Sequence, residues 1–126
     1  MVATVIRGAI GKTPLIIKIG YVPPDVSPEP LVQALVGIVD ALSMTNSIAA
    51  TVGTSERELM FDGQQRGICG DAIRESSIDQ IRRFAEVASR YDDDLNLIGV
   101  GGIHSGVHVR EYLNAGAHAC HLATSV

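Results

Sequence analysis

Apolar residues at Val2, Val5, Ile6 and Ile10 recur at the spacing of one helix stripe, so the chain is expected to open with a helix over residues 1–11. Thr13-Pro14 ends it, because the residue before a proline is pushed out of the α region. Leu15 to Ile19 then reads as a strand, apolar on both faces apart from Lys18. Strands of that kind belong to parallel sheets covered by helices, whereas antiparallel strands with one wet face alternate more cleanly. Gly20 to Pro30 is a proline-rich loop. Within it Ser27 suits an N-cap, Pro28 the first helical position and Glu29 the positive end of the helix dipole. The helix that follows is expected to run to about Val36, where Gly37 stops it.

The second half repeats the alternation. Val39 to Asn46 reads as a strand, and Asn46 to Gly70 as a loop of about 24 residues. Loops longer than roughly 12–15 residues are uncommon inside compact domains and usually carry function. From Ser76 or Ser77, the residues Ile78, Ile81, Ala85, Ala88 and Tyr91 form a helix stripe, with Ser77 and Gln80 spaced as a capping box. Asp92 to Asp94 closes it as a solvated loop, since an oxygen-rich metal loop needs more ligands at alternating positions. Leu95 to Val100 is a strand, Gly101-Gly102 a tight turn, Ser105 to Leu113 a helix stopped at Asn114-Ala115-Gly116, and Ala117 to Ala123 a last strand.

The order (α)βαβαβαβ predicts parallel strands joined by right-handed crossovers. A closed (β/α)8 barrel takes about 250 residues, and four strands fit into these 126. The expected fold class is therefore α/β, an incomplete (β/α)8 TIM barrel of about four βα units. Residues 1–126 are expected to form a single incomplete domain, one half of such a barrel, ending short of the helix after its fourth strand.

Composition narrows the function. With 46% hydrophobic residues, 19% charged and a net charge of −4, the chain is globular rather than disordered. Lys12 and Lys18 are its only lysines, so no basic stripe exists to neutralise a phosphate backbone, and nucleic acid is not an expected partner. No uncharged stretch reaches the roughly 20 residues that span a bilayer and no signal pattern opens the chain, so a cytoplasmic location with no membrane partner is expected. Cys69 and Cys120 lie far apart without a CxxC, and both read as reduced thiols.

Parallel α/β folds place their chemistry at the carboxyl ends of the strands. Those ends present Lys18; then Thr45, Asn46 and Ser47; then Gly101 and Gly102; and last Ala123 and Thr124. The Gly67-Ile68-Cys69-Gly70 segment arches between the second and third. A lysine between Ile17 and Ile19 in a buried strand is a costly unpaired charge, so Lys18 is expected either to meet an anion or electron-rich acceptor or to snorkel to a salt bridge. Asn46 and Ser47 offer an amide and a hydroxyl suited to a planar polar ligand, although a strand-terminal Asn also forms turns. Glycines in Gly99-Val100-Gly101-Gly102-Ile103-His104 let backbone N–H groups approach a phosphate. The segment does not complete GxGxxG, because His104 takes the last glycine's place, so a dinucleotide site is disfavoured. His104 and His108 have the i, i+4 spacing of a metal pair without a third ligand in the sequence, so no metal is expected. His118 and His121 flank Cys120 and read as solvated or hydrogen-bonded.

Five pieces stand in the order and at about the spacing of one family: Pro14 to Lys18, Met44 to Ile48, Arg66 to Arg74, Gly99 to Ile103 and Tyr112 to Ala117. Over nearly its whole length the chain resembles the carboxyl-terminal half of the dihydroorotate dehydrogenases. That resemblance implies an FMN-dependent (β/α)8 barrel that oxidises dihydroorotate to orotate in pyrimidine biosynthesis. It implies Lys18 at the flavin pyrimidine ring, Thr45 beside the flavin and Gly70 in a loop near it. It further implies Asn46 and Ser47 at the orotate ring, with Gly101, Gly102, Ala123 and Thr124 in the phosphate-binding turns.

Two departures stand out. Ala123 replaces the family's usual glycine, which loosens the backbone approach to the phosphate. The family's general base, a Cys or Ser of the first half, has no counterpart, and Cys69 lies by alignment in the flavin loop. No residue of the chain is therefore assigned a catalytic role. The first expectation is an FMN oxidoreductase piece, inactive or weakly active alone, taking a dihydroorotate- or orotate-like molecule. The alternative is a non-catalytic half-barrel that binds a phosphate-bearing ligand or assembles with another chain. Either way a homo-oligomer or a missing amino-terminal half is the expected partner.

Overall fold

A computed structural model describes residues 1–91 and 95–123, so the predicted Asp92–Asp94 loop and Thr124 lie outside the described residues. The elements are α1 (Val2–Ile10), β1 (Ile16–Lys18), α2 (Glu29–Leu35), β2 (Ala41–Met44), β3 (Ile48–Thr51) and β4 (Gln65–Ile68). There follow α3 (Arg74–Ala88), β5 (Asn96–Val100), α4 (Gly106–Asn114) and β6 (Ala119–His121). The predicted α/β alternation is present.

Four strands pair in parallel in the order β1-β2-β5-β6, with Lys18 opposite Ser43, Met44 opposite Gly99 and Val100 opposite His121. Spatial order follows chain order without the reversal that marks a doubly wound sheet. This is a partial TIM barrel, four strands of its wall, and among the described residues the ring is not closed.

Alternation sorts each strand's side chains onto two faces. Ile17, Leu42 and Leu97 lie in register on the face that packs against the helices, where Val32, Ile81, Phe84 and Tyr112 complete the core. Gly99 sits on this face for a steric reason: a Cβ there would lie 2.2 Å from Cδ1 of the fully buried Tyr112. The Tyr112 hydroxyl donates to Gly101 O at 2.8 Å, and burial pushes the phenol pKa up to about 12. On the opposite face no helix covers Ile16, which is half exposed.

Several local expectations need correction. The 46–70 stretch is not a plain loop, because β3 and β4 form an antiparallel hairpin with Ile48 opposite Ile68. α3 begins at Arg74, continuing a 3-10 turn over Gly70–Ile73, so Ser77 and Gln80 are buried inside it and form no capping box. Gln80 instead holds the loop after β1, accepting from Val22 N–H at 2.8 Å and donating to Gly20 O at 2.9 Å. α2 starts one residue late, although Ser27 Oγ still accepts the Glu29 amide at 3.3 Å. Ser105, read as the first residue of the last helix, is instead the N-cap of α4 and accepts from His108 N–H.

The stripe that predicts α1 does not bury it. Val2 and Val5 are 74% and 73% exposed, and Ala3 alone is buried. The helix is instead tied to the sheet by polar contacts: Arg7 donates to Ile38 O at 2.8 Å and pairs with Asp40, whose carboxylate also accepts from Leu15 N–H at 2.6 Å. The Leu15 amide first, and Arg7 second, hold the Asp40 pKa below its ordinary value of 3.8.

Two outcomes are expected. A depressed carboxylate stabilises the fold fully above its unfolded pKa, and that contribution fades as pH falls through the lower folded value. Thermal melts followed from neutral pH to below about pH 4 should therefore show a loss of stability in the parent that Asp40→Asn, already weakened at neutral pH, lacks; identical pH profiles would refute the anchor. Because β1 and β6 are open parallel edges beside an uncovered face, light scattering should give the chain a mass above its 13.3 kDa. A monodisperse, cooperatively unfolding 13.3 kDa species would show that these edges are satisfied otherwise.

Candidate functional site

The carboxyl ends of all four parallel strands open onto one cavity of about 580 Å³, within the usual range for small-molecule sites. Lys18, Thr45, Asn46, Gly70, Gly101, Gly102 and Ala123 all line it. Ser47, expected beside Asn46, is not among its lining residues and packs against Gly67, where a Cβ would lie 3.0 Å from Ser47 Oγ. A second cavity, about 450 Å³, lies at the amino end of β5 beside His118, the end of a barrel that serves stability rather than chemistry.

Lys18 departs from expectation. It is exposed and makes no ion pair or hydrogen bond among the described residues, because β1 is an edge strand and its face away from the helices is uncovered. Its ammonium is therefore free to meet a ligand at the cavity without first breaking a contact. Thr45 is the opposite case. Fully buried at the end of β2, its Oγ1 has no hydrogen-bond partner among the described residues. A buried polar atom left unpaired is costly, and here it lines the cavity.

The turn between β5 and α4 has two chemical features. Among the described residues the amides of Gly101, Gly102 and Ile103 have no hydrogen-bond acceptor, which leaves N–H donors in the glycine turn that precedes the Ser105 cap of α4. Glycine at 102 is required by packing, since at φ 64° a Cβ would lie 2.7 Å from Arg74 Cβ and 2.9 Å from Asp71 Cα. The turn thus rests directly on the 3-10 turn after β4, and the two walls of the cavity fix each other. The Cys69 thiol donates to Asn46 O at 3.7 Å, joining the same loop to the end of β2.

The dihydroorotate dehydrogenase family model matches residues 2–126. The chain belongs to the dihydroorotate dehydrogenase family. It is 40% identical over 111 residues to a dihydroorotate dehydrogenase (quinone) of Pectobacterium atrosepticum, covering 82% of this chain and 30% of that protein. It is 31% identical to the dihydroorotate dehydrogenase of Dictyostelium discoideum over 90% of this chain and 32% of that one. The catalytic subunit of dihydroorotate dehydrogenase B (NAD(+)) from Methanopyrus kandleri is 29% identical over 81% of this chain and 33% of its own. The chain spans about a third of the length of these relatives. No helix among the described residues is long and apolar enough to cross a membrane.

Sequence reasoning missed His121 and Asp71 as residues of this family member's cavity. His121 was legible from register, since alternation on β6 puts it opposite Val100 on the uncovered face; its Nδ1 lies 3.4 Å from Ser43 Oγ. Asp71 carried no local signal, because only the packing of its turn beneath Gly102 brings it in.

The two cavity glycines should respond differently. Gly102→Ala combines a clash with positive φ and should cost about 2–4 kcal/mol, while Gly70→Ala, strained at φ 74° but with open space around its Cβ, should cost about 1–2 kcal/mol. Denaturant unfolding of both variants checks this, and equal losses would refute the packing of one turn on the other.

Proposed function

We propose that this chain forms the flavin-binding wall of an FMN-dependent dihydroorotate dehydrogenase, an oxidoreductase of pyrimidine biosynthesis that converts dihydroorotate to orotate. The observation that carries this reading is the convergence of seven expected site residues, from four strand ends and one loop, on one cavity. The residues present suit FMN. Gly101, Gly102 and Ile103 offer free amides to a phosphate, Thr45 an unpartnered hydroxyl to a ring heteroatom, and Lys18 an unpaired cation to the electron-rich pyrimidine edge. Ala123 would add the facing turn, with Thr124 beyond it.

FMN, when bound, supplies the hydride-accepting chemistry. The chain's own part is binding and orientation. Asn46, exposed at the cavity and carrying both an amide donor and acceptor, would hold the flat ring of dihydroorotate, with Ser47 in support from beneath Gly67. No group of this chain takes the substrate proton in this reading. Cys69, engaged with Asn46 O, stiffens the loop, and the base comes from outside these residues. The uncovered sheet face, with Ile16 half exposed, favours completion of the barrel by further polypeptide, and a half-barrel that binds a phosphate-bearing ligand without catalysis is the reading that follows if no flavin binds.

Titration with FMN followed by flavin fluorescence tests the proposal. Weak binding is expected, because half of the cradle lies outside this chain. Lys18→Ala should weaken it by the loss of a charge-assisted contact, about 1.5–3 kcal/mol, or roughly 10- to 150-fold in Kd. Lys12→Ala, exposed in the turn before β1, should leave it unchanged. Equal effects of the two substitutions, or tighter binding of a nicotinamide dinucleotide than of FMN, would overturn the assignment.

A further inference from the structure

Beside the Gly101–Gly102 turn, Asp71, His104 and His108 bring one carboxylate oxygen and two imidazole nitrogens within 4.8 Å of one another. The i, i+4 histidines lacked a third ligand in the sequence; the fold supplies it from the turn before α3, with Asp71 Oδ1 3.6 Å from His104 Nε2. The two imidazoles meet edge to face with centroids 4.2 Å apart. We propose that these three residues form a Zn2+ site, revising the expectation that the chain binds no metal. The proposal is independent of the flavin reading, since the metal alone is its probe.

Three features of the cluster point to a cation. The first is the donor set, two imidazoles and a carboxylate, which is a catalytic-type zinc triad that leaves a fourth position to water. Tetrahedral zinc places its ligand atoms roughly 3.3 Å apart, so separations that all lie within 4.8 Å must close by up to about 1.5 Å through side-chain rotation. Asp71 and His104 are exposed and His108 partly so, which leaves them that freedom.

The second is the orientation of His108. Its Nδ1 lies 3.1 Å from Gly102 O, so the tautomer protonated at Nδ1 can donate there and keep Nε2 as the ligand atom, while the same Nδ1 also lies 3.5 Å from the His104 amide and 3.0 Å from Arg74 Nη1. A ring N–H donated to a backbone carbonyl is the usual outer-shell support of a metal-bound histidine.

The third is that a cationic side chain already meets two of the three donors. The Arg74 guanidinium contacts His108 Nε2 and pairs with Asp71 Oδ1 at 3.2 Å, so two of the three donors are aimed at one positive group. Zinc would displace Nη1 of Arg74 from this position, and Arg74 acts as its competitor.

Calorimetric titration of the metal-stripped 126-residue chain with Zn2+ tests this. One Zn2+ per chain is expected, with His104→Ala, His108→Ala and Asp71→Asn each weakening binding by about tenfold or more. Arg74→Gln should tighten it by about tenfold or more, the change that removing one competing charge-assisted hydrogen bond allows. A Cys69→Ser/Cys120→Ser double variant should bind as the parent does. Far-UV circular dichroism identifies any variant that has lost its fold, and for such a residue its Asn or Gln variant replaces it. Zinc binding that survives all three ligand substitutions, that disappears with the cysteines, or that weakens in Arg74→Gln would overturn the site.

Discussion

Parallel pairing in chain order, β1 beside β2, β2 beside β5 and β5 beside β6, is the constraint on which the rest of the structure depends. Each crossover must carry a helix back along the sheet, and with no reversal of order α2, α3 and α4 share one face. The same constraint brings every strand's carboxyl end to one edge. A cavity lined from four distant parts of the chain is then a consequence of topology, and its lining residues can sit on strand ends rather than on long loops. Among the described residues, the exposure of the opposite face at the two edge strands, β1 and β6, follows from the same arrangement.

Within that frame, the contact of the β5–α4 turn with the start of α3 joins stability to function. Glycine at 102 lets the backbone settle on Asp71 and Arg74, and Tyr112 holds the turn from below through Gly101 O. The turn's amides are thereby fixed with their donors unspent. The same packing places Asp71 beside His104 and His108, so the turn amides and the histidine cluster share one support.

Alternation of apolar strands and helical stripes, read along the chain, suffices for the class of fold and for the four parallel strands, because both express local period and burial. The cavity was legible for the same reason: strand ends converge whatever their details, and Lys18, Thr45, Asn46 and Gly101 needed only their position. What was not legible depends on contacts between distant segments. Gln80 resembles a capping residue until the loop at Gly20–Val22 is brought to it, and the β3–β4 hairpin is hidden by short strands of Ala, Gly and Gln. The burial expected of Lys18 failed because it presumes a covered sheet face, and the α1 stripe because Arg7 and Asp40, not Val2 and Val5, attach the helix.

The central claim is that the free amides at the end of β5 are the anion-binding part of a flavin site, and amide-resolved NMR tests it most directly. Addition of FMN should shift the resonances of Gly101, Gly102 and Ile103 together with that of Thr45, and inorganic phosphate should reproduce the shifts of the three turn amides alone. Shifts confined to the cavity at the amino end of β5, around Leu97 and His118, or an unmoved turn at saturating FMN, would contradict it.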